Sequence, residues 1–208
     1  FDNKIYKKGH QVEKYNNFIN DSININSRPG KLILHNIKKN KLGKNKILGI
    51  NPGASYGDAK RWYPDEFANV ASALSNEYDI VIFGGPGEKD IAGDIEKNLI
   101  KKGVTNYQNL AAHTSISELM NHISNLDLFV TGDSGPMHLA AAFKIPTVSI
   151  FGPTNHNETS QWMNDKSIIV KKELDCQPCM KRKCPLKHNN CMKLIKSEEV
   201  LSSVKSLI

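Results

Sequence analysis

From residue 47 onward the chain alternates short, unbroken apolar runs with longer stretches of mixed polarity. Runs of the first kind read as buried strands, and the longer stretches between them read as helices. The pattern predicts strands over 47–51, 80–83, 106–110, 128–131, 147–151 and 168–170. Helices are expected over 65–75, 89–102, 117–125, 137–143 and 197–208. Ser115 and Ser117 stand where N-caps are expected, with Glu118 in the first turn. Strand alternating with helix is the signature of a parallel sheet, and continuous apolar runs imply burial on both faces. The expected fold class is therefore α/β, a doubly wound Rossmann-like sheet.

The first 44 residues read differently. They are polar and Asn-rich, with Tyr15, Phe18 and Ile19 marking a turn or more of helix, Arg28-Pro29-Gly30 reading as a turn, and 36–46 as an exposed linker. The expected division is an N-terminal segment and linker over 1–44, then one domain over 45–208. A length of 208 residues suffices for one good core with an appendage. The chain opens at Phe1 rather than Met, which leads us to expect a piece of something longer.

Charge narrows the partners. The formal net charge is +7, with much of the excess in 38–46 and 171–187. Such an excess favours nucleotides, nucleic acid or a membrane surface, although a Lys- and Asn-rich composition also produces solvated basic faces with no partner. No basic stripe is interleaved with aromatics as single-strand binding requires, so nucleic acid is not expected. No apolar run approaches the roughly 20 residues of a membrane span, and no signal-peptide pattern is present.

The most informative chemistry lies where strands end. The 128–131 run passes through Thr131-Gly132-Asp133-Ser134-Gly135-Pro136 straight into an Ala-rich helix. Pro is favoured at the first helical positions because its missing N–H would have no helical partner. A turn of this kind aims backbone N–H groups and the positive helix end at one point, which suits a phosphate. Gly135 permits close approach and Ser134 adds a hydroxyl. A second such turn, Asn51-Pro52-Gly53-Ala54-Ser55, follows the first strand, and two of them suggest a diphosphate. In doubly wound sheets ligands sit beyond the carboxyl ends of the strands, so 51–61, 84–88, 111–114, 131–138 and 151–155 are expected to line one rim.

Each candidate on that rim has a plainer reading beside it. Lys60 and Arg61, a point charge and a planar fork, would neutralise a diphosphate, or they are surface charges ahead of a helix. Trp62-Tyr63-Pro64 would anchor their loop. Glu88, after Gly84-Gly85-Pro86-Gly87, would accept both ribose hydroxyls, or it favours the N-terminus of the following helix. Asp133 is expected to hold its turn by accepting backbone N–H bonds, turned away from a diphosphate that would repel it, or it acts as a catalytic acid or base. His138 is expected to be a structural hydrogen-bonding group more than a catalyst. Thr154 would contact sugar or phosphate, or cap the next segment. No paired carboxylates at credible spacing, no Gly-x-Ser-x-Gly elbow and no Walker loop occur.

Taken in order, 51–62, 83–90, 109–114, 131–142 and 151–154 resemble the ADP-heptose:lipopolysaccharide heptosyltransferases, most closely the heptosyltransferase II type. Asp-Ser-Gly-Pro-Met-His before an Ala-rich helix, followed by a Gly-Pro-Thr turn, is the specific part. Residues 10–18 resemble the end of that family's N-terminal domain. The resemblance implies a GT-B architecture in which 45–208 is the nucleotide-sugar (donor) domain. It implies that Lys60 contacts the donor phosphates and stabilises the leaving group, that Glu88 holds the ribose, and that Thr114 lies near the adenine. Asp133, Ser134 and Gly135 would form the diphosphate turn, with Ser55, Arg61 and His138 completing the donor-binding set. It further implies an inverting transfer of heptose from ADP-heptose to the lipopolysaccharide inner core, with no cofactor required for catalysis and the general base in an N-terminal domain. The implied location is cytoplasmic, with peripheral contact at the inner face of the inner membrane. A relative using another nucleotide sugar and a non-catalytic nucleotide-binding module are the alternatives.

All four cysteines fall between 176 and 191, spaced Cys176-x2-Cys179-x4-Cys184-x6-Cys191 with His188 nearby. The first pair has good metal spacing and the later gaps are unusual. A structural zinc on Cys176, Cys179, Cys184 and Cys191, two disulfides, or four reduced thiols all remain open. The same cluster, with the basic charge, also raises a zinc-knuckle nucleic-acid binder.

Overall fold

A computed structural model describes residues 9–35, 45–53 and 55–208. Within it, helix α1 (Gln11–Ile23) precedes β1 (Lys46–Asn51), α2 (Pro64–Leu74), β2 (Tyr78–Ile82), α3 (Lys89–Lys101) and β3 (Tyr107–Asn109). Then come α4 (Ile116–Ser124), β4 (Leu128–Gly132), α5 (Gly135–Phe143), β5 (Thr147–Phe151), α6 (His156–Thr159), β6 (Ser167–Lys171), α7 (Asn190–Lys193) and α8 (Ser197–Leu207). The six strands form one sheet in the order β3-β2-β1-β4-β5-β6, every pair parallel. This is the doubly wound arrangement expected, and its order reverses between β1 and β4.

The burial of the strands follows their place in the sheet. β4 and β5 are buried along their whole length, whereas edge strands β3 and β6 are mostly half-exposed. One core fills the face covered by α2, α3 and α8, with Trp62, Phe67, Ile95 and Val204 packed on Leu48, Ile80 and Val148. A smaller core under α4 and α5 gathers Phe83, Ile123, Phe129 and Ala140.

The expected loop anchor is present. Trp62 is buried, stacks edge-on against Phe67 at 4.8 Å and donates its indole N–H to Ile195 O at 3.0 Å. Burial of an indole with its N–H satisfied fixes the end of the loop that carries Lys60 and Arg61.

Several local expectations shift. Ser115 alone caps α4, in a reciprocal box with Glu118; Ser117 lies inside the first turn, where its hydroxyl is past the capping position. Residues 28–30 form no defined turn, and Gly30 O instead accepts the Trp162 indole N–H at 2.9 Å. Lys46 opens β1 rather than closing a linker, and the rest of that linker, 36–44, lies outside the described residues, as does Ala54. The helix signalled by Tyr15, Phe18 and Ile19 runs over Gln11–Ile23, capped by His10 through its own ring nitrogen and Glu13. It docks on α6 and the segment after it through Lys14–Glu158 (3.1 Å), His10 Nε2···Ser160 O (2.9 Å) and His10–Trp162 ring contact (4.8 Å). Among the described residues no helix is long and apolar enough to cross a membrane.

Candidate functional site

The carboxyl ends of β1 and β4 meet where the strand order reverses, and side chains tie them together. Asn51 Nδ2 donates to Thr131 Oγ1 at 3.2 Å and to Ser134 Oγ at 2.8 Å. Ser134 is the N-cap of α5 in extended backbone (φ −155°), and its hydroxyl makes no capping bond. Pro136 has no N–H and the Met137 N–H donates to Ser134 O at 3.1 Å, so the Gly135 N–H is the donor that the helix start leaves without a side-chain acceptor. Pro136 stands at the start of the helix, as expected. A helix end left this way is a ready anion site.

Beyond it opens a cavity of about 620 Å³, walled by Asn51, Gly53, Ser55 and Arg61 after β1, by 84–88 after β2, by Thr114, Ser115, Ile116 and Leu119 around the start of α4, and by Ser134–Pro136. Ser55, Arg61, Glu88, Thr114, Ser134 and Gly135 are thereby brought to one cleft, four of the five expected rim segments among them. The fifth, 151–155, does not line it; its Thr154 donates to Asp133 instead. A larger concavity of about 910 Å³ lies at the β3 edge, lined by Lys89, Glu96, Tyr107, Asn109 and His113, away from the strand reversal.

Lys60, Asp133 and His138 lie outside that cleft lining. Lys60 is no surface charge: its side chain is 11% exposed and its ammonium stands 2.7 Å from Asp133 Oδ2. The Asp133 carboxylate accepts the Thr154 hydroxyl as well, also at 2.7 Å. Asp133 therefore braces its turn through two side chains, not through the backbone N–H bonds expected, because Thr154 and Lys60 reach it first. Thr154 serves Asp133 rather than capping the next segment. Burial pushes the His138 imidazole below its ordinary pKa; Asp133 pulls it up, while His10 and Lys60 add to the downward push. His138 is thus held toward the neutral form beside the pair.

Glu88 divides its carboxylate. Oε2 accepts Gly85 N–H at 2.6 Å, which is the helix-start role, and Oε1 faces Arg61 Nη2 at 3.9 Å on the cleft side. Gly53 makes room for it, since a Cβ there would fall within the Glu88 side chain. Arg61 spans the rim, bonding Gly87 O at 3.1 Å and Asp58 at 3.4 Å, and its buried Nε has no partner.

The cysteine segment runs from the loop after β6 into α7, where Cys191 lies. Cys176, Cys179, Cys184 and Cys191 are all free thiols, and with His188 they surround one small void of about 20 Å³. Backbone N–H groups, Asn189's first among them, draw the Cys184 thiol below its usual pKa. Burial, with the other three cysteines, pushes Cys191 up to about 11. Among the described residues no three His, Cys, Asp or Glu side chains are drawn together tightly enough to hold a metal ion.

Two residues of the site were not singled out from the sequence. Asn51 bridges the strand reversal, and Tyr56 packs its ring 5.2 Å from Lys60 Nζ. Asn51 carries a signal, a polar residue ending an apolar strand at the first phosphate turn; Tyr56 carries none beyond lying in that loop.

A parallel sheet with an open helix start and Gly-rich turns at its strand reversal defines a Rossmann-like α/β domain. The chain belongs to glycosyltransferase family 9 (heptosyltransferase), whose model matches residues 2–190. It is 45% identical over 215 residues to lipooligosaccharide heptosyltransferase 2 of Campylobacter jejuni serotype O:2, covering all of this chain and 67% of that one. The fold matches the solved structure of Escherichia coli ADP-heptose lps heptosyltransferase II with a TM-score of 0.69 and 23% identity, over 92% of this chain and 50% of that chain. The iron-containing dodecameric glycosyltransferase TibC of enterotoxigenic E. coli shares the fold at a TM-score of 0.65 and 17% identity, over 88% of this chain and 52% of that one. The chain thus spans two thirds of its Campylobacter relative and half of each of these solved structures.

Proposed function

We propose that residues 45–208 are the donor-binding half of an inverting heptosyltransferase that moves heptose from ADP-heptose to the lipopolysaccharide inner core, with 1–44 belonging to the preceding domain and linker. The observation that carries this reading is the cleft at the strand reversal, where the open N-terminus of α5 meets Glu88, Arg61 and Thr114. The diphosphate lies against the Ser134 hydroxyl and the Gly135 N–H at the start of α5, with Ser55 on the opposite turn. Glu88 Oε1 accepts ribose hydroxyls while Oε2 stays on Gly85 N–H. Thr114 borders the adenine.

The reaction is a displacement. An acceptor hydroxyl oxygen bonds to the anomeric carbon as the bond from that carbon to the ADP oxygen breaks. The electron pair leaves with ADP, and the acceptor proton passes to a base supplied by an N-terminal domain. Negative charge gathers on the departing β-phosphate, where Lys60, Arg61 and the helix end stabilise it. Lys60 stands outside the cleft lining, desolvated and held on Asp133, and in this reading its remaining N–H donors turn to the leaving oxygen when the donor is bound. Asp133 carries a counter-charge that keeps the ammonium in place without facing the donor.

A structural metal on the cysteine loop is a second, separate proposal. Four thiols and His188 around one void are the donor types a thiophilic ion such as zinc takes, and since no three of them converge as placed here, an ion would have to draw them together and deprotonate Cys191. Four thiolates leave no open position, so the ion would order the loop and take no part in transfer. Peripheral attachment to the inner membrane from the cytoplasmic side fits a lipid-linked acceptor and the basic loop.

The test is reconstitution: this chain, mixed with a matching family N-terminal domain, is expected to release ADP from ADP-heptose in the presence of inner-core acceptor. Donor binding without transfer in that mixture would favour the non-catalytic nucleotide module, and preference for another nucleotide sugar would favour a relative with different donor chemistry.

A further inference from the structure

The cysteine loop does not line the cleft, yet it fastens both members of the Lys60–Asp133 pair. On one side it grips the turn that carries Lys60. Ala59 N–H donates to Arg182 O at 3.1 Å, and the Tyr56 hydroxyl donates to Met180 O at 2.8 Å. The approach is close enough that a Cβ on Gly57 would stand 2.5 Å from Arg182 O. On the other side the loop grips the turn after β5. Met180 N–H donates to Pro153 O at 2.9 Å, and Gln177 Nε2 donates to Gly152 O at 2.6 Å. The next residue, Thr154, is the one that holds Asp133.

Tyr56 is the side chain that joins loop to lysine. Its ring centroid lies 5.2 Å from Lys60 Nζ and 5.3 Å from the Arg182 guanidinium carbon, so two cations share one aromatic ring. A lysine has a long flexible stem, and its rotamer freedom must be lost before its ammonium can serve at one point. A ring packed beside that ammonium, with its own hydroxyl tied to a backbone carbonyl of a second element, removes the freedom in advance.

We propose that Tyr56 is a positioning residue: clamped by the cysteine loop, it sets the Lys60 ammonium for the diphosphate. It touches neither the cleft nor the reacting atoms and acts only through Lys60. The assignment rests on the nucleotide reading given above.

The test compares ADP with adenosine, because a positioning effect on Lys60 is felt by the diphosphate alone. ADP affinity is measured by calorimetry, and adenosine binding by saturation-transfer NMR. Tyr56→Phe, which loses only the bond to Met180 O, is expected to weaken ADP about threefold, and Tyr56→Leu, which also loses the ring, about tenfold. Adenosine binding stays at the wild-type level in both. Added to Lys60→Ala, Tyr56→Leu causes no further loss, since both act through one ammonium.

Three results would overturn the assignment: wild-type ADP affinity in Tyr56→Leu, equal loss of ADP and adenosine, or full additivity with Lys60→Ala. If Tyr56→Leu does not fold, Tyr56→Phe and Gly57→Ala, which pushes the loop off the turn, carry the same comparison. Wild-type chain that binds neither ligand would instead remove the nucleotide reading, and this assignment with it.

Discussion

Lys60 Nζ stands 2.7 Å from Asp133 Oδ2, joining the loop after the first strand to the turn after the fourth, with side chains 11% and 7% exposed. Thr154 closes the arrangement from the turn after the fifth strand. A desolvated pair of this kind is costly to break by removing one partner, because the other is left buried and uncompensated.

Replacing one partner should therefore separate stability from binding. Lys60→Ala is expected to destabilise the fold by up to about 3 kcal/mol and to weaken ADP binding by roughly 1–3 kcal/mol. Adding Asp133→Asn removes the stranded charge, so denaturant melts should recover much of the stability while calorimetry finds ADP affinity still low. Recovery of both in the double variant would contradict a donor role for Lys60.

Gly53 keeps the cleft open by leaving space that the Glu88 side chain occupies. Gly53→Ala should force Glu88 from its place, costing about 1–3 kcal/mol of stability as an overpacked site. ADP binding should fall by at least as much as in Glu88→Gln. Wild-type ADP affinity in folded Gly53→Ala would separate Glu88 from the nucleotide.

His138 contributes a pH dependence. Burial, with His10 and Lys60 nearby, lowers its folded pKa below the ordinary 6.5, against the opposing pull of Asp133. Below that ordinary value the unfolded chain takes up the proton first. The stability it contributes is thus complete above about pH 6.5 and is lost as pH falls toward the folded pKa. His156, lowered mainly by its own burial, acts with the same sign. His138→Gln should flatten, without abolishing, the fall in melting temperature between pH 7.5 and 5.5. A curve parallel to wild type would show that His138 is not held neutral.

The cysteine loop offers an elemental test. Purified chain is expected to carry about one equivalent of zinc or a similar thiophilic ion, and a chelator should lower its melting temperature. Cys184→Ser should reduce the metal content. Metal-free protein with an unchanged melt, all four thiols titrating freely, would leave the loop as reduced cysteines alone.

Much of this was legible in the residues. The unbroken apolar runs marked the parallel strands, Trp62-Tyr63-Pro64 marked the loop anchor, and the Gly- and Pro-marked strand ends marked the rim that brings Ser55, Arg61, Glu88, Thr114, Ser134 and Gly135 to one cleft. What escaped depends on contacts distant in sequence. A carboxylate in a turn announces that it holds something, but nothing local in Asp133 says that its partners are Lys60 and Thr154. Ser115 and Ser117 are equivalent as cap candidates until the helix start is fixed by one residue. Helices α6 and α7, four residues each, are too short to show a period. The clamp of the cysteine loop on Tyr56 and Ala59 runs largely through backbone carbonyls, which leave no mark on side-chain identity.

The central claim is that the cleft at the strand reversal takes an adenosine diphosphate group. Calorimetric titration of the wild-type chain with ADP, with UDP and GDP as controls, tests it most directly. The account predicts saturable one-to-one binding of ADP, weaker binding of UDP and GDP, and weakened ADP binding in Lys60→Ala. Equal affinity for all three nucleotides, or ADP binding untouched by Lys60→Ala, would contradict it.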